Sequence, residues 1–310
     1  MVQKGVGLYT KGKDGIVPSY LTKQRRIAMM KMIRNLFALV LALTMLLGVA
    51  MAESTQAAAT AHKAAGVVID GKLDEWNLND PLVMDGGPAI TLDAAYAAWN
   101  NGDAQYNSQL VRDEHFWNGP DDLSAKVYVA WDEEWFYIGA DVTEDSIFGA
   151  IEMLPMDGMD NFQLYLSTNP ADDPGRTEYA TNDFKVFLII DGEYWDTAID
   201  RSMVPKDNRQ RFITVGMDGG ENVLTAGYDV AATQTTTGFI YEARIAWANF
   251  SNRNIAVYTP AVGDTVNFDF LITDISYPCP GTEYIPQLAW AGTIAIDTNP
   301  SQWGRLTFAE

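Results

Sequence analysis

Cysteine and histidine are almost missing from this 310-residue chain, which has one Cys, Cys279, and two His, His62 and His115. A lone cysteine between Pro278 and Pro280 makes no intramolecular disulfide, so the fold must rest on its core or on bound ions. Two histidines leave no material for a His-rich zinc site and little for a Ser-His-Asp triad, so any catalysis would fall to carboxylates. Positive charge is scarce as well. Lys and Arg number 21 against 41 Asp and Glu, a net charge of −20, which argues against phosphate backbones and anionic membrane surfaces as partners. The apolar run at 36–49, broken by Thr44 and Gly48, falls short of the roughly 20 residues of a spanning helix.

The charge is unevenly divided. Residues 1–52 carry eight Lys and Arg against Asp14 alone, leaving 13 basic and 40 acidic residues downstream. Lys31 and Arg34 precede the apolar run, and Ala50-Met51-Ala52 follows it with small residues of the kind a signal peptidase reads. Residues 1–52 are therefore expected to be a signal peptide with an N-terminal extension, cleaved after Ala52, on a protein that is secreted, extracellular or at the cell surface. Translation from Met29, Met30 or Met32 would shorten that extension. Residues 53–65, rich in Ala, Thr, Ser and Gln, read as a flexible leader, and the domain as 66–310.

From Gly66 onward, short period-2 segments alternate with Gly, Pro, Asn and Asp, the pattern of an all-β sandwich or barrel. The strongest pair is 126–131 with 135–143. Val127, Val129 and Trp131 fall on one face, then Phe136, Ile138, Ala140 and Val142, predicting a hairpin with one buried face. Further strands are predicted at 162–167, 184–191, 193–199, 212–217, 224–230, 239–247, 266–273, 287–291 and 306–308. Trp76, Trp131 and Trp247 read as core. The Ala-rich stretch 93–110 has helix-forming composition until Asn100-Asn101-Gly102, so 91–120 is expected to be a partly helical insertion over one end.

Val68-Ile69-Asp70-Gly71-Lys72-Leu73-Asp74-Glu75-Trp76 opens the domain, and Trp131-Asp132-Glu133-Glu134-Trp135-Phe136-Tyr137-Ile138 runs into Asp141-Val142-Thr143-Glu144-Asp145. Met159-Asp160-Asn161-Phe162-Gln163-Leu164-Tyr165-Leu166, Gly238-Phe239-Ile240-Tyr241-Glu242-Ala243-Arg244-Ile245-Ala246-Trp247, residues 263–274 and Trp303-Gly304-Arg305-Leu306 continue the series. In this order the blocks resemble the family 9 carbohydrate-binding modules. The resemblance implies a DOMON-like antiparallel β-sandwich, calcium supporting the fold, and sugar binding between aromatic side chains with polar groups on the hydroxyls. It covers 67–308 except the insertion at 91–120 and residues 200–222.

Carried over position by position, Trp290 matches one aromatic wall and Lys185 falls where the family has a cationic sugar ligand. Gln163 stands at a position that is often acidic. A second aromatic wall before Asp160 is missing from this sequence, and Trp99, Trp117 and Trp195 are its possible replacements, with Trp117 the most attractive because it lies in the insertion. Asp145, Asp157 and Asp160 are the candidate calcium ligands, since calcium takes six to eight oxygens. The expected function is an exported, non-catalytic module binding a poly- or oligosaccharide. The alternative is a surface-associated structural protein that self-assembles through the same sandwich without sugar affinity.

Overall fold

A computed structural model describes residues 56–86, 110–112, 117–145, 160–189, 210–214, 220–223, 226–251, 256–274, 286–291 and 296–310. The alternating segments around 132–134 pair as an antiparallel hairpin, β4 (Leu123–Trp131) with β5 (Trp135–Glu144). The Asp132 carboxylate closes the turn by accepting the backbone N–H groups of Glu134 and Trp135 at 2.8 and 2.7 Å. β11 (Gly238–Ala246) pairs with the free side of β5, and β10 (Tyr228–Gln234) with β11. β2 (Leu82–Met84) adds to β4. These strands make the β5 sheet.

The β12 sheet is built on β12 (Thr265–Thr273), followed in order by β6 (Asn161–Ser167), β7 (Asp183–Ile189), β8 (Gln210–Thr214) and β9 (Gly220–Val223). β14 (Gly304–Phe308) and β13 (Gln287–Ala289) also pair with β12, and β3 (Leu110–Arg112) pairs with β13. One strand joins the two sheets. β1 (Ala58–Lys63) runs parallel to β14 through residues 58–61 and parallel to β4 through His62 and Lys63, so the whole is a curled, mixed sheet folded over one core.

The inward residues of both sheets form that core. Val127, Val129, Phe136, Ile138, Tyr241 and Ile245 face Phe162, Leu164, Val186, Phe268 and Phe270. Trp131 and Trp247 are 1% and 2% exposed, and each bulky apolar side chain so buried contributes about 1.5–3 kcal/mol.

The all-β expectation holds, with four corrections. Residues 58–63, expected within a flexible leader, are strand β1: their small side chains carry little hydrophobic signal because the strand is held by main-chain pairing on both edges. The sandwich is mixed rather than antiparallel for the same reason. No α-helix occurs among the described residues, and the described part of the 91–120 insertion is strand at Leu110–Arg112 and turn near Pro120. The hairpin is buried on both faces. Tyr128, Ala130 and Tyr137, which alternate away from the core, lie beneath Val67, Ile69, Leu73 and Trp76.

That covering depends on Glu242, a fully buried carboxylate on the outer side of β11. Its Oε2 accepts the backbone N–H groups of Asp70, Gly71 and Lys72 at 2.9, 2.6 and 3.1 Å, and its Oε1 accepts the Trp76 indole N–H at 2.6 Å. Gly71, at φ +86°, supplies the left-handed turn that aims three amides at one oxygen. Gly139 lies opposite Glu242, and a Cβ there would stand 2.8 Å from Leu73 and 2.9 Å from Trp76.

Candidate functional site

The side of the β12 sheet turned away from the core carries an unusual row. On β6, Phe162, Leu164 and Leu166 point inward, so Asn161, Gln163 and Tyr165 point outward. The same alternation puts Lys185 and Phe187 of β7, and Asp269, Leu271 and Thr273 of β12, on that outer side, with Gln287 of β13 beside them. Gln163 Nε2 donates to Asn161 Oδ1 at 2.9 Å and to Thr273 Oγ1 at 3.4 Å, and Gln287 Nε2 reaches the same hydroxyl at 3.2 Å. The Tyr165 hydroxyl sits 2.5 Å from Asp297 Oδ1 and 2.9 Å from Gln163 Oε1, with one proton to share.

Lys185 stands at the margin of this row. Its Nζ is 2.5 Å from Asp297 Oδ1, and it lies 5.0 Å from the Tyr165 ring centre and 4.7 Å from that of Phe187, within cation–π range. Burial, reinforced by Asp297, pushes the Tyr165 phenol well above its ordinary range, so it stays a neutral donor. Asp269, opposite Tyr165 in the register, accepts the backbone N–H groups of Phe270 and Ala291 through Oδ1, while its buried Oδ2 has no partner. Burial raises this carboxyl to about 8. Asn161, Gln163, Tyr165 and Asp269 are themselves buried, at no more than 2% exposed, so the groups of this row that reach solvent are at its margin, Lys185 and Asp297, whose side chains are 14% and 51% exposed.

Gln163 and Lys185 therefore share one face, on adjacent strands. Trp290 does not point to that side: following Leu288 in the core and Ala289 outside it, its ring returns towards Phe268, at 5.8 Å between centres, and packs over Gly304. It is half-buried. Trp117 is elsewhere, donating its indole N–H to the Leu123 carbonyl at 3.0 Å and lying against Gly86, so it meets neither Lys185 nor Gln163. Trp99 and Trp195 lie outside the described residues.

Asp157 also lies outside them. Asp145 follows β5 and donates its backbone N–H to the Asp122 carbonyl; burial and the Asp122 charge hold its carboxyl above the ordinary range. Asp160, just before β6, is buried. Among the described residues no group of three or more His, Cys, Asp or Glu side chains is placed to hold a metal ion, and Asp157 is not among those residues.

Tyr165, Asp269 and Asp297 were not singled out from the sequence. Tyr165 shares the outward alternation of Gln163 and was legible by that rule, whereas Asp297 sits in an Asp-Thr-Asn-Pro loop with no period to read.

A folded-over all-β body with a hydrogen-bonding row on one strand face has the anatomy of a binding module. The family of carbohydrate family 9 binding domain-like proteins matches residues 92–310, and the chain belongs to it. Among solved structures, the chain is similar to a family 9 carbohydrate-binding module from Caldicellulosiruptor kristjanssonii in complex with cellotriose, at 15% identity, TM-score 0.48, covering 81% of this chain and 93% of that one. The same protein's glucose complex gives 15% identity and TM-score 0.47 over 81% and 95%. A putative carbohydrate-binding protein from Bacteroides uniformis ATCC 8492 gives 9% identity and TM-score 0.43 over 82% and 99%. No curated protein matches the chain.

Proposed function

We propose that this chain is an exported, non-catalytic module that binds a neutral glycan on the outer side of the β12 sheet. Membership of the carbohydrate family 9 binding domain-like family supports the class of ligand. The observation that carries the site is the Lys185 ammonium at the end of the Gln163–Tyr165 row, positioned by Asp297 and flanked by two aromatic rings. The ammonium suits sugar hydroxyls as a donor, and Asp297, whose side chain is 51% exposed, offers an acceptor at the same edge.

Calorimetric titration of the full chain with glucose and cellotriose tests this reading. A saturable heat that Lys185→Ala weakens at least about tenfold, roughly the loss of one charge-assisted hydrogen bond, is the expected result. Absence of heat with both sugars, from a chain that unfolds cooperatively, removes the reading.

A further inference from the structure

The outer side of the β5 sheet, on the other face of the molecule, holds a cleft of about 270 Å³ where residues 64–80 arch over β1 and β4. Trp76, Tyr128 and Ala130 form its floor, each less than a tenth exposed, and His62, Glu75 and Asp80 its rim. Two of these side chains are incompletely engaged. Tyr128 is 7% exposed as a residue, and its hydroxyl is not among the buried polar atoms without a partner, so it opens into the cleft, free to meet water or a ligand. Asp80 uses one oxygen, Oδ2, at 3.3 Å from His62 Nε2, while His62 Nδ1 lies 3.2 Å from the Glu310 backbone oxygen. The imidazole thus lies between two acceptors, to one of which its neutral form donates, and Asp80 Oδ1 remains unengaged.

Size and chemistry narrow what fits. The volume is just below the range of pockets for drug-sized ligands and accommodates a single ring. An aromatic and methyl floor suits a C–H face, and a phenol with two carboxylates suits hydroxyls at its edge. Lys63 also lines the cleft but is paired with Glu133 at 2.7 Å, so Glu75 and Asp80, on a chain of net charge −20, oppose an anion. We propose that this cleft is a second ligand site, taking one neutral, hydroxyl-rich ring and separate from the Lys185 face. It rests on the carbohydrate reading and adds a site on the opposite sheet.

Chemical-shift mapping on the isotope-labelled full chain, titrated with glucose, tests it. The expected result is saturable shifts in residues 64–80 and 128–130, with an apparent Kd raised roughly fivefold to tenfold by Asp80→Asn or Tyr128→Phe and unmoved by Lys185→Ala. Asp80 is exposed and its Asn variant is isosteric, so a loss there reports binding rather than folding. Shifts confined to residues around Lys185, or cleft shifts indifferent to both substitutions, overturn the second site and leave the first reading standing. No shifts on either face overturn both.

Discussion

Glu242 accepts four hydrogen bonds from the segment that covers the β5 sheet, so its removal strands four donors at once. Glu242→Ala is expected to cost at least about 3 kcal/mol, read as a lower midpoint in urea denaturation, with Tyr137 and Trp76 becoming exposed together. Asp269 gives a second prediction at this scale. Its folded carboxyl is raised to about 8, against about 3.9 for a free aspartate, so the folded chain holds a proton there that the unfolded chain releases. For this group, stability is therefore highest below about pH 4, falls as pH rises towards 8, and is level beyond. Asp183, raised chiefly by burial despite its pairing with Arg176, acts in the same sense. Asp269→Asn is expected to lose less stability than the parent between pH 5 and pH 8, and equal losses in the two proteins would show that Asp269 is ionised in the fold.

Strand β1 shows what alternation can and cannot reveal. A Pro at Ala59 would delete a main-chain donor from the parallel ladder with β14, and Ala59→Pro is expected to lower the unfolding temperature by several degrees and broaden the transition. The sequence Ala-Ala-Thr-Ala-His-Lys presents only the methyls of Ala59 and Ala61 to the interior, so the strand is specified by its edges and not by apolar contrast. β4, β5 and β11 were legible because they bury a continuous period-2 face, and β6, β7, β12 and β14 for the same reason. The predicted strand at 224–230 overlaps only the start of β10 at 228–230, since turns shift boundaries that period alone does not fix. Of the site, Gln163 and Lys185 were readable through strand position. Their partner Asp297 was not, because a loop residue is brought to β7 by tertiary packing.

At the scale of the whole molecule, charge and topology set different limits. A net −20 with few basic residues beyond the first 52 implies self-repulsion in the folded state, and raising NaCl from 20 to 300 mM is expected to raise the unfolding temperature as the Debye length shortens. A flat or falling response would mean that pairs such as Arg176 with Asp172 and Asp183 outweigh the general repulsion. Ligand faces on opposite sheets, if both are occupied, let one molecule hold two glycan strands, and bivalent attachment strengthens retention without any new contact.

The parallel strand β1 also dictates an order of events. His62 packs beside Glu310, 248 residues away, and Ala58 to Ala61 pair with Arg305 to Phe308. A ribosome therefore delivers the first strand of the sandwich long before its neighbour exists, and closure waits until β14 has emerged. Until then the edge of β12 at 265–268, where β14 will pair, stands unprotected, and the nascent chain is slow to lock because its decisive contacts are the most distant ones. The clasp that seals the domain therefore cannot form until β14 has been made.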